Sequence, residues 1–428
     1  MSILQKTLKS NSSTSSMKKG LMLTLLSFLI YTAVSSQPCP PNPVIFNTQS
    51  QIDSFIINYP NCTTIQGDVE ISGNDITNLN GLSHLHIWGS LDIIDNIALT
   101  NLSGLEGKGF LGGLRIANNP VLKNLDGLKN LISIQGGVTI SNNPSITNLN
   151  GLAKVQYVDK NITISHNDSL INLSGLENIG KAAGLRIENN PSLTSLKGLD
   201  NFQYINGYGV FMIANNPSLT DLTALNNCTY TGYTLLIDNN DALTSLSGLE
   251  NITKVNMYLT IAGNASLVDL SALYNIATIG YLKVYDNASL QTLNGLDSIK
   301  NINFDISIYN NPCLATCHVK SICDYLANPN GVVEIHDNAT GCNSQHEVED
   351  RCNTIFSIYP NPARNELFII IGNNVTLKEM NIYNCLAQKV LHETQINNML
   401  DVSKLKQGMY IFELISTEFI KREKLIIK

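Results

Sequence analysis

A chain of 428 residues has room for two or three domains or for one long array. Its net charge is −7 and 14% of its residues are charged, so it lacks the basic footprint of a nucleic-acid binder. Nine cysteines leave metal binding, redox chemistry and disulfides open until the compartment is known.

The N-terminus points to that compartment. Lys18 and Lys19 precede an apolar run, LMLTLLSFLIYTAV at 21–34, and Ser35, Ser36 and Gln37 follow. Basic residues, a short apolar run and small residues at its end predict a secretory signal peptide over 1–36. A membrane span needs about 20 apolar residues, which leaves an uncleaved anchor as the weaker alternative. Val34 and Ser36 suit the positions before a cleavage site, so the mature chain is expected to start at Gln37. The residues before Met17 are polar and Ser-rich, and Met1 and Met17 are alternative starts. Export makes disulfides chemically accessible.

Residues 37–64 read as an N-terminal cap. TQSQIDSFIIN at 48–58 predicts a helix with Ile52, Phe55 and Ile56 on one face. Cys39 and Cys62 flank it and are candidates for a bridge.

From about 65 to 312 the chain repeats one phrase. An apolar β-branched residue recurs at Ile71, Ile93, Ile116, Ile140, Ile164, Ile187, Ile213, Ile237, Ile261, Val284 and Ile308, 22 to 26 residues apart. Three residues after each comes an asparagine: Asn74, Asn96, Asn119, Asn143, Asn167, Asn190, Asn216, Asn240, Asn264, Asn287 and Asn311. A period of this length is the mark of a stacked array. The alternation L-x-I predicts a short strand with one buried face. Leu170 and Leu173 then fall three apart as the chain turns, and Gly175 permits a sharp bend before Leu176. A single unit cannot bury its apolar face, but stacked units cover one another. An Asn side chain has a donor end and an acceptor end, so a stack of them can satisfy the backbone groups each turn leaves facing inward. The prolines at 120, 144, 191, 217 and 312 end the strand. Eleven coils about 4.8 Å apart make a rod on the order of 50 Å long.

A rod needs caps at both ends. CHVKSICDYLAN at 317–328 predicts a helix with Val319, Ile322 and Leu326 on one side, within a cap over 313–352 that holds Cys317, Cys323, Cys342 and Cys352.

The I-x-G pattern before the strand, as in IQGGVTI (134–140) and IGYLKV (279–284), resembles the receptor L-domain, a leucine-rich-repeat-like, right-handed solenoid. The common leucine-rich repeat follows its Asn with x-L, whereas this chain has x-x-L. The resemblance implies a binding scaffold rather than an enzyme. The C-terminal cap is similar to leucine-rich-repeat caps whose cysteines pair first to third and second to fourth. Carried over, that implies Cys317–Cys342 and Cys323–Cys352. Cys228 and Cys313 are left over and are expected to be buried thiols. The fold expected is β-dominated: a right-handed solenoid of about eleven coils with helical, disulfide-bearing caps, followed by a small β-sandwich.

Residues 353–356 read as a linker. Beyond them, short apolar runs at 377–384, 388–394, 399–417 and 421–428 alternate with turn residues, the pattern of a small sandwich. The segment 357–428 resembles the type A C-terminal sorting domain of the type IX secretion system found in Bacteroidetes-type bacteria. The matching residues are Tyr359-Pro360-Asn361-Pro362-Ala363, Ile382-Tyr383-Asn384, the Leu405-x-x-Gly408-Met409-Tyr410 turn and the Lys-rich end at 424–428. Ala387 stands where the family usually has Gly, which tightens one turn. The resemblance implies an outer-membrane translocon and sorting machinery as partners. It also implies removal of the domain, then anchoring on surface lipopolysaccharide or release.

Chemistry is sparse. The seven histidines are at 84, 86, 166, 318, 336, 346 and 392. His84 and His86 share a strand face without an evident third metal ligand, and His166 reads as a turn residue. No nucleophile elbow, HExxH or phosphate loop occurs, so no catalytic site, metal or cofactor is expected. Asp/Asn turns such as IDNNDAL (237–243) lack the calcium-binding nonapeptide pattern. The sequons at Asn264 and Asn287 fall on asparagines expected to be buried.

Two features are candidates for binding. Tyr208, Tyr233, Tyr258 and Tyr281 precede the strand in consecutive coils, forming a column that either holds sugar rings or braces the solenoid. Arg115, Arg186, Met212, Leu236, Lys283, Tyr285 and Tyr309 are expected to face outward, with Met212 and Leu236 adjacent and Phe202, Tyr204 and Tyr230 nearby. The functional expectation is an exported, non-catalytic module that binds an extracellular glycan or protein, with a passive surface component as the alternative and an unrecognised enzyme as the third.

Overall fold

The computed structural model describes residues 39–352, 356–371, 377–394, 399–416 and 420–428. The expected signal peptide lies outside the described residues, as do 353–355 of the linker.

Thirteen strands form one parallel sheet in chain order, from Val44–Phe46 to Val333–His336. Their register is set by the repeated β-branched residue: Ile164 stands opposite Ile140 on one side and Ile187 on the other. Eleven strands carry that residue, and each cap adds one more. Phe46 pairs opposite Ile71, and Ile335 opposite Ile308. The sheet therefore overruns the expected limits of 65 and 312, because each terminal repeat strand would otherwise expose an unpaired edge.

A second side of most coils carries two-residue strands that pair in separate short ladders, with single bridges at Tyr230 and Lys254. The third side holds turns and one-turn 3-10 segments such as Asn150–Leu152. Between the three sides runs a continuous core in which Ile164, Leu170, Leu173 and Ile187 are fully buried. Burial of each such side chain stabilises by about 1.5–3 kcal/mol. Gly198 has φ +109°, and a Cβ there would strike the Leu173 carbonyl one coil back.

The N-terminal helix, Gln49–Asn58, starts with a capping box between Thr48 and Gln51. Ile52 and Phe55 are buried, but Ile56 is 48% exposed, because the helix lies on the first coil by a narrower face than expected. Phe55 packs edge-on against Phe46 with centroids 5.3 Å apart, and Cys39 is bonded to Cys62. At the other end the helix is Lys320–Ala327, with Val319 at its N-cap and Ile322 and Leu326 buried. A second helix, Gln345–Cys352, was not expected. Cys317 is bonded to Cys342, and Cys323 to Cys352. Cys228 is buried, and burial pushes its thiol up to about 12. Cys313 is exposed, contrary to expectation. It sits just after Pro312, where the other copies place Ser192 or Ser218 in an outward turn.

The C-terminal unit has two antiparallel sheets. One holds Phe356–Tyr359, Glu366–Ile371 and Met399–Asp401; the other holds Lys389–Glu393, Leu377–Tyr383, Gly408–Ser416 and Ile420–Ile427. Leu367 and Ile369 from the first and Ile382, Phe412 and Leu425 from the second share one core.

Candidate binding surfaces

Most of the repeated residues are occupied with structure. Asn190 Nδ2 donates to the carbonyls of Ile164 and Glu188 and to Asn216 Oδ1, at 3.1, 3.0 and 3.3 Å. Its Oδ1 accepts from the backbone and side chain of Asn167 at 3.1 and 3.3 Å. The same pattern runs from Asn96 to Asn338, through Asn119, Asn143, Asn167, Asn190, Asn216, Asn240, Asn264, Asn287 and Asn311. All these asparagines are buried, so the sequons at Asn264 and Asn287 offer no exposed amide. Asn74 is not a member: it is exposed, and the Gly73 N–H takes Asn96 Oδ1 instead. In later coils the residue before the ladder Asn is left-handed, as at Asn118, Asn189 and His166 (φ 58°, 57° and 56°), which turns the ladder side chain inward. Gly73 is not left-handed. The first Asn of Asn-Asn-Pro thus has its own task, since Asn tolerates this conformation better than most residues. Asn338, three residues after Ile335, was legible by the same rule and was missed.

The outward face of the sheet changes along the rod. Register aligns Glu70 with Asp92 and Arg115, later Arg186 with Met212 and Leu236, then Lys283 with Ser307 and Glu334. Burial, opposed by Arg115 and assisted by Glu70, raises the Asp92 carboxyl. Met212 and Leu236 are adjacent and half-buried, and Arg186 Nη1 lies 3.8 Å from Met212 Sδ.

The tyrosine column exists. Tyr208 and Tyr233, then Tyr233 and Tyr258, meet edge to face at 6.0 and 5.9 Å. Tyr258, Tyr281 and Phe304 stack at 4.8 Å with interplanar angles of 12° and 22°. A second column joins Tyr285, Tyr309 and His336 at 5.0 and 5.1 Å, both at 9°. Stacked rings cover one another's faces, so these segments brace the coils. Tyr208 is the exception: it ends the column and is 85% exposed. Tyr204 and Tyr230 pair with each other on the lateral side of the coils rather than on the main sheet. Phe202 is fully buried against Phe211 and belongs to the core.

The histidine pair does not converge. His84 is half-buried near the Phe55 ring, while His86 is exposed opposite Thr64. Among the described residues no group of three His, Cys, Asp or Glu is placed to hold a metal. A cavity of about 570 Å³ lies over polar turns at Lys123, Asp126, Ser145 and Asn148. A smaller one, about 190 Å³, is lined by Thr64, His86, Ile87, Trp88, Gly109 and Phe110 together with Lys108. Lys108 is the anomaly. It stands where other coils place Leu85, Leu131, Val155 or Ile179, is buried, and donates to the Leu82 and Leu85 carbonyls. Burial lowers its ammonium to about 8.

In the C-terminal unit the Tyr-Pro-Asn-Pro residues clasp the last strand. Asn361 Nδ2 donates to the Lys424 carbonyl at 2.6 Å, and Asn361 Oδ1 accepts from Ile426 N–H at 2.9 Å. Tyr359 stacks on Phe368 at 5.4 Å, Pro360 and Pro362 follow cis bonds, and Tyr410 Oη donates to the Lys406 carbonyl. Gly408 opens the central strand. On the outer face of the larger sheet, Glu413 accepts from Asn381, Tyr383 and Arg422 at 3.1, 2.8 and 2.6 Å. Burial would raise this carboxyl, but the three donors outweigh it and hold it below its usual range.

Among the described residues no helix is long and apolar enough to cross a membrane. No curated protein matches the chain. Residues 357–428 match the family model described as a secretion system C-terminal sorting domain. The C-terminal unit is therefore a type IX secretion sorting domain that engages that machinery, and the protein is secreted or attached to the outer cell surface.

Proposed function

We propose that residues 39–352 form a non-catalytic binding module, a solenoid of the receptor L-domain kind that presents its outward face to an extracellular glycan or protein. Adhesion or ligand recognition is its role, and anchoring on lipopolysaccharide or release follows removal of the sorting domain. No cofactor belongs to this reading. The observation that supports it most is the variation within a constant frame: core and ladder repeat, while the outward positions pass from Glu70 and Asp92 to Met212 and Leu236, beside the exposed Tyr208. The purified mature chain, tested on broad glycan and protein arrays, is expected to bind at least one ligand saturably. Tyr208→Ala and Tyr233→Ala are expected to weaken that binding. The close stacking of Tyr258, Tyr281 and Phe304 favours a second reading, a passive surface component; an absence of binding across both arrays supports it. Hydrolysis by the purified chain would count against both.

A further inference from the structure

The lateral side of the coils carries a different aromatic pattern from the sheet. Its short ladders align Phe110 with Ser133 and Tyr157, and then Lys181 with Tyr204 and Tyr230. From Phe110 to Tyr204 an aromatic residue recurs in alternate coils: Phe110, Tyr157, Tyr204. With coils about 4.8 Å apart, the rings are spaced about 10 Å along the rod. That separation is too great for them to stack on each other. Phe110 and Tyr157 are 56% and 55% exposed, and among the described residues neither makes a ring contact. On the sheet, by contrast, the aromatic residues occupy consecutive coils and spend their faces on each other.

The track begins at a built opening. His86–Ile87 pairs back to Thr64–Ile65, and Phe110–Leu111 pairs forward to Ser133–Ile134, but the two are not paired with each other. At the next step along the ladder Ile132 N–H donates to the Gly109 carbonyl; here the Leu85 carbonyl takes the Lys108 ammonium instead. Lys108 thus closes the stretch that the backbone leaves open before the Gly112 N–H reaches the Gly89 carbonyl at 2.8 Å. That stretch is the cavity of about 190 Å³. Trp88, the single tryptophan, lines it and is 60% exposed. Drug-sized ligands occupy about 300–1,000 Å³, so this opening fits one ring of a larger molecule.

We propose that this lateral face is a track for a linear glycan, with one pyranose unit seated against Trp88 and Phe110 and later units on Tyr157 and Tyr204. The chemistry matches at each point. The electropositive C–H face of a pyranose packs on the negative face of an aromatic ring. Thr64 and His86 at the opening, and Ser133 and Lys181 between the rings, supply hydrogen bonds to hydroxyls. A peptide strand would instead seek free backbone edges, and along this side most of them are paired coil to coil.

The proposal rests on the binding-module reading but locates the ligand away from the sheet. The test uses the full mature chain and three probes: cellohexaose, xylohexaose and hexa-N-acetylchitohexaose. Trp88 emission reports the opening directly, and calorimetry reports the whole track. At least one hexamer is expected to shift Trp88 emission saturably and to bind at least 10-fold more tightly than its monosaccharide, because linked units bind together. Phe110→Ala is expected to lower affinity at least 10-fold, and Tyr157→Ala several-fold. Both side chains are exposed, so both variants are expected to fold, and Phe110→Trp is expected to retain binding. No saturable response to any of the three hexamers overturns the proposal. So does binding that both alanine variants leave unchanged. Glycan binding lost in Tyr208→Ala but kept in Phe110→Ala overturns the track and leaves the sheet-face reading standing.

Discussion

The solenoid and the sorting domain solve the same problem, polar groups under a β-structure, in opposite ways. The solenoid spreads the task over many equal members, each ladder Asn serving the coil before it and the coil after it. The sorting domain concentrates it. Glu413 gathers donors from Asn381 and Tyr383 on one neighbouring strand and Arg422 on the other, and His392 reaches the cluster through Asn381. A repeat can lengthen by copying a coil because no contact depends on a distant one. A sandwich cannot, because its last strand is clasped by Asn361, more than sixty residues earlier. An extensible array and an indivisible secretion signal follow from these two architectures.

The largest effect expected separates the two units by task. Removing 357–428 abolishes surface delivery and leaves the remainder periplasmic, as fractionation with an epitope tag would show. A truncated chain that still reaches the surface would break the division of labour.

Next comes the ladder itself. Asn190→Ala leaves the Asn167 N–H and the Ile164 and Glu188 carbonyls without their buried partner. At about 1–3 kcal/mol per unsatisfied group, with partial relaxation, the loss is roughly 3–5 kcal/mol in urea denaturation. Asn74→Ala, at an exposed position, is expected to cost about 0.5 kcal/mol or less. Equal losses at the two sites would refute the distributed-ladder account.

Lys108 interrupts the uniform solenoid and carries a pH signature. Its pKa falls from 10.5 to about 8 on folding, so the unfolded chain holds the proton more tightly. The penalty is full below pH 8, and stability rises as pH climbs from 8 to 10.5. At about 1.36 kcal/mol per unit the rise is about 3 kcal/mol. Lys108→Met is expected to lack that rise relative to the parent chain, measured as the difference between their denaturation midpoints across the window. Parallel curves would mean the ammonium is solvated.

Much of this was legible in the sequence because the repeat supplies its own controls. A β-branched residue followed by Asn in every copy points to a buried strand and a ladder, and Gly175 and Gly198 mark the bend. The same rule extended to Ile335 and Asn338, but a longer spacing and a surrounding cysteine-rich cap obscured it. At the other end Phe46 has no Asn three residues on, only Gln49, so its strand carries no signal. Asn74 matched the pattern and failed because its turn lacks the left-handed residue, a property of backbone geometry rather than of residue type. Lys108 was visible by alignment as a charge in an apolar column. What no pattern could supply was whether rings stack: consecutive coils bring Tyr258 and Tyr281 face to face, while alternate coils keep Phe110 and Tyr157 apart.

The smallest effect tests the sorting domain at Ala387, a departure from the family resemblance. Ala387 sits in the turn between Leu377–Tyr383 and Lys389–Glu393 with φ 58°, a left-handed conformation that costs an L-residue with a Cβ about 1–2 kcal/mol. The Asn384 side chain braces the turn, accepting from the Leu386 and Gln388 N–H groups at 3.0 Å, and the Ala387 N–H donates to the Asn384 carbonyl at 2.9 Å. Glycine enters this region without the steric cost but loses more conformational freedom on folding. Relief of the Cβ clash exceeds that entropy, so Ala387→Gly is expected to stabilise the domain by about 0.5–1 kcal/mol. Thermal denaturation of the full chain, followed through the sorting-domain transition, reads the shift. A neutral or destabilising result would mean that the Asn384 bracing already removes the strain.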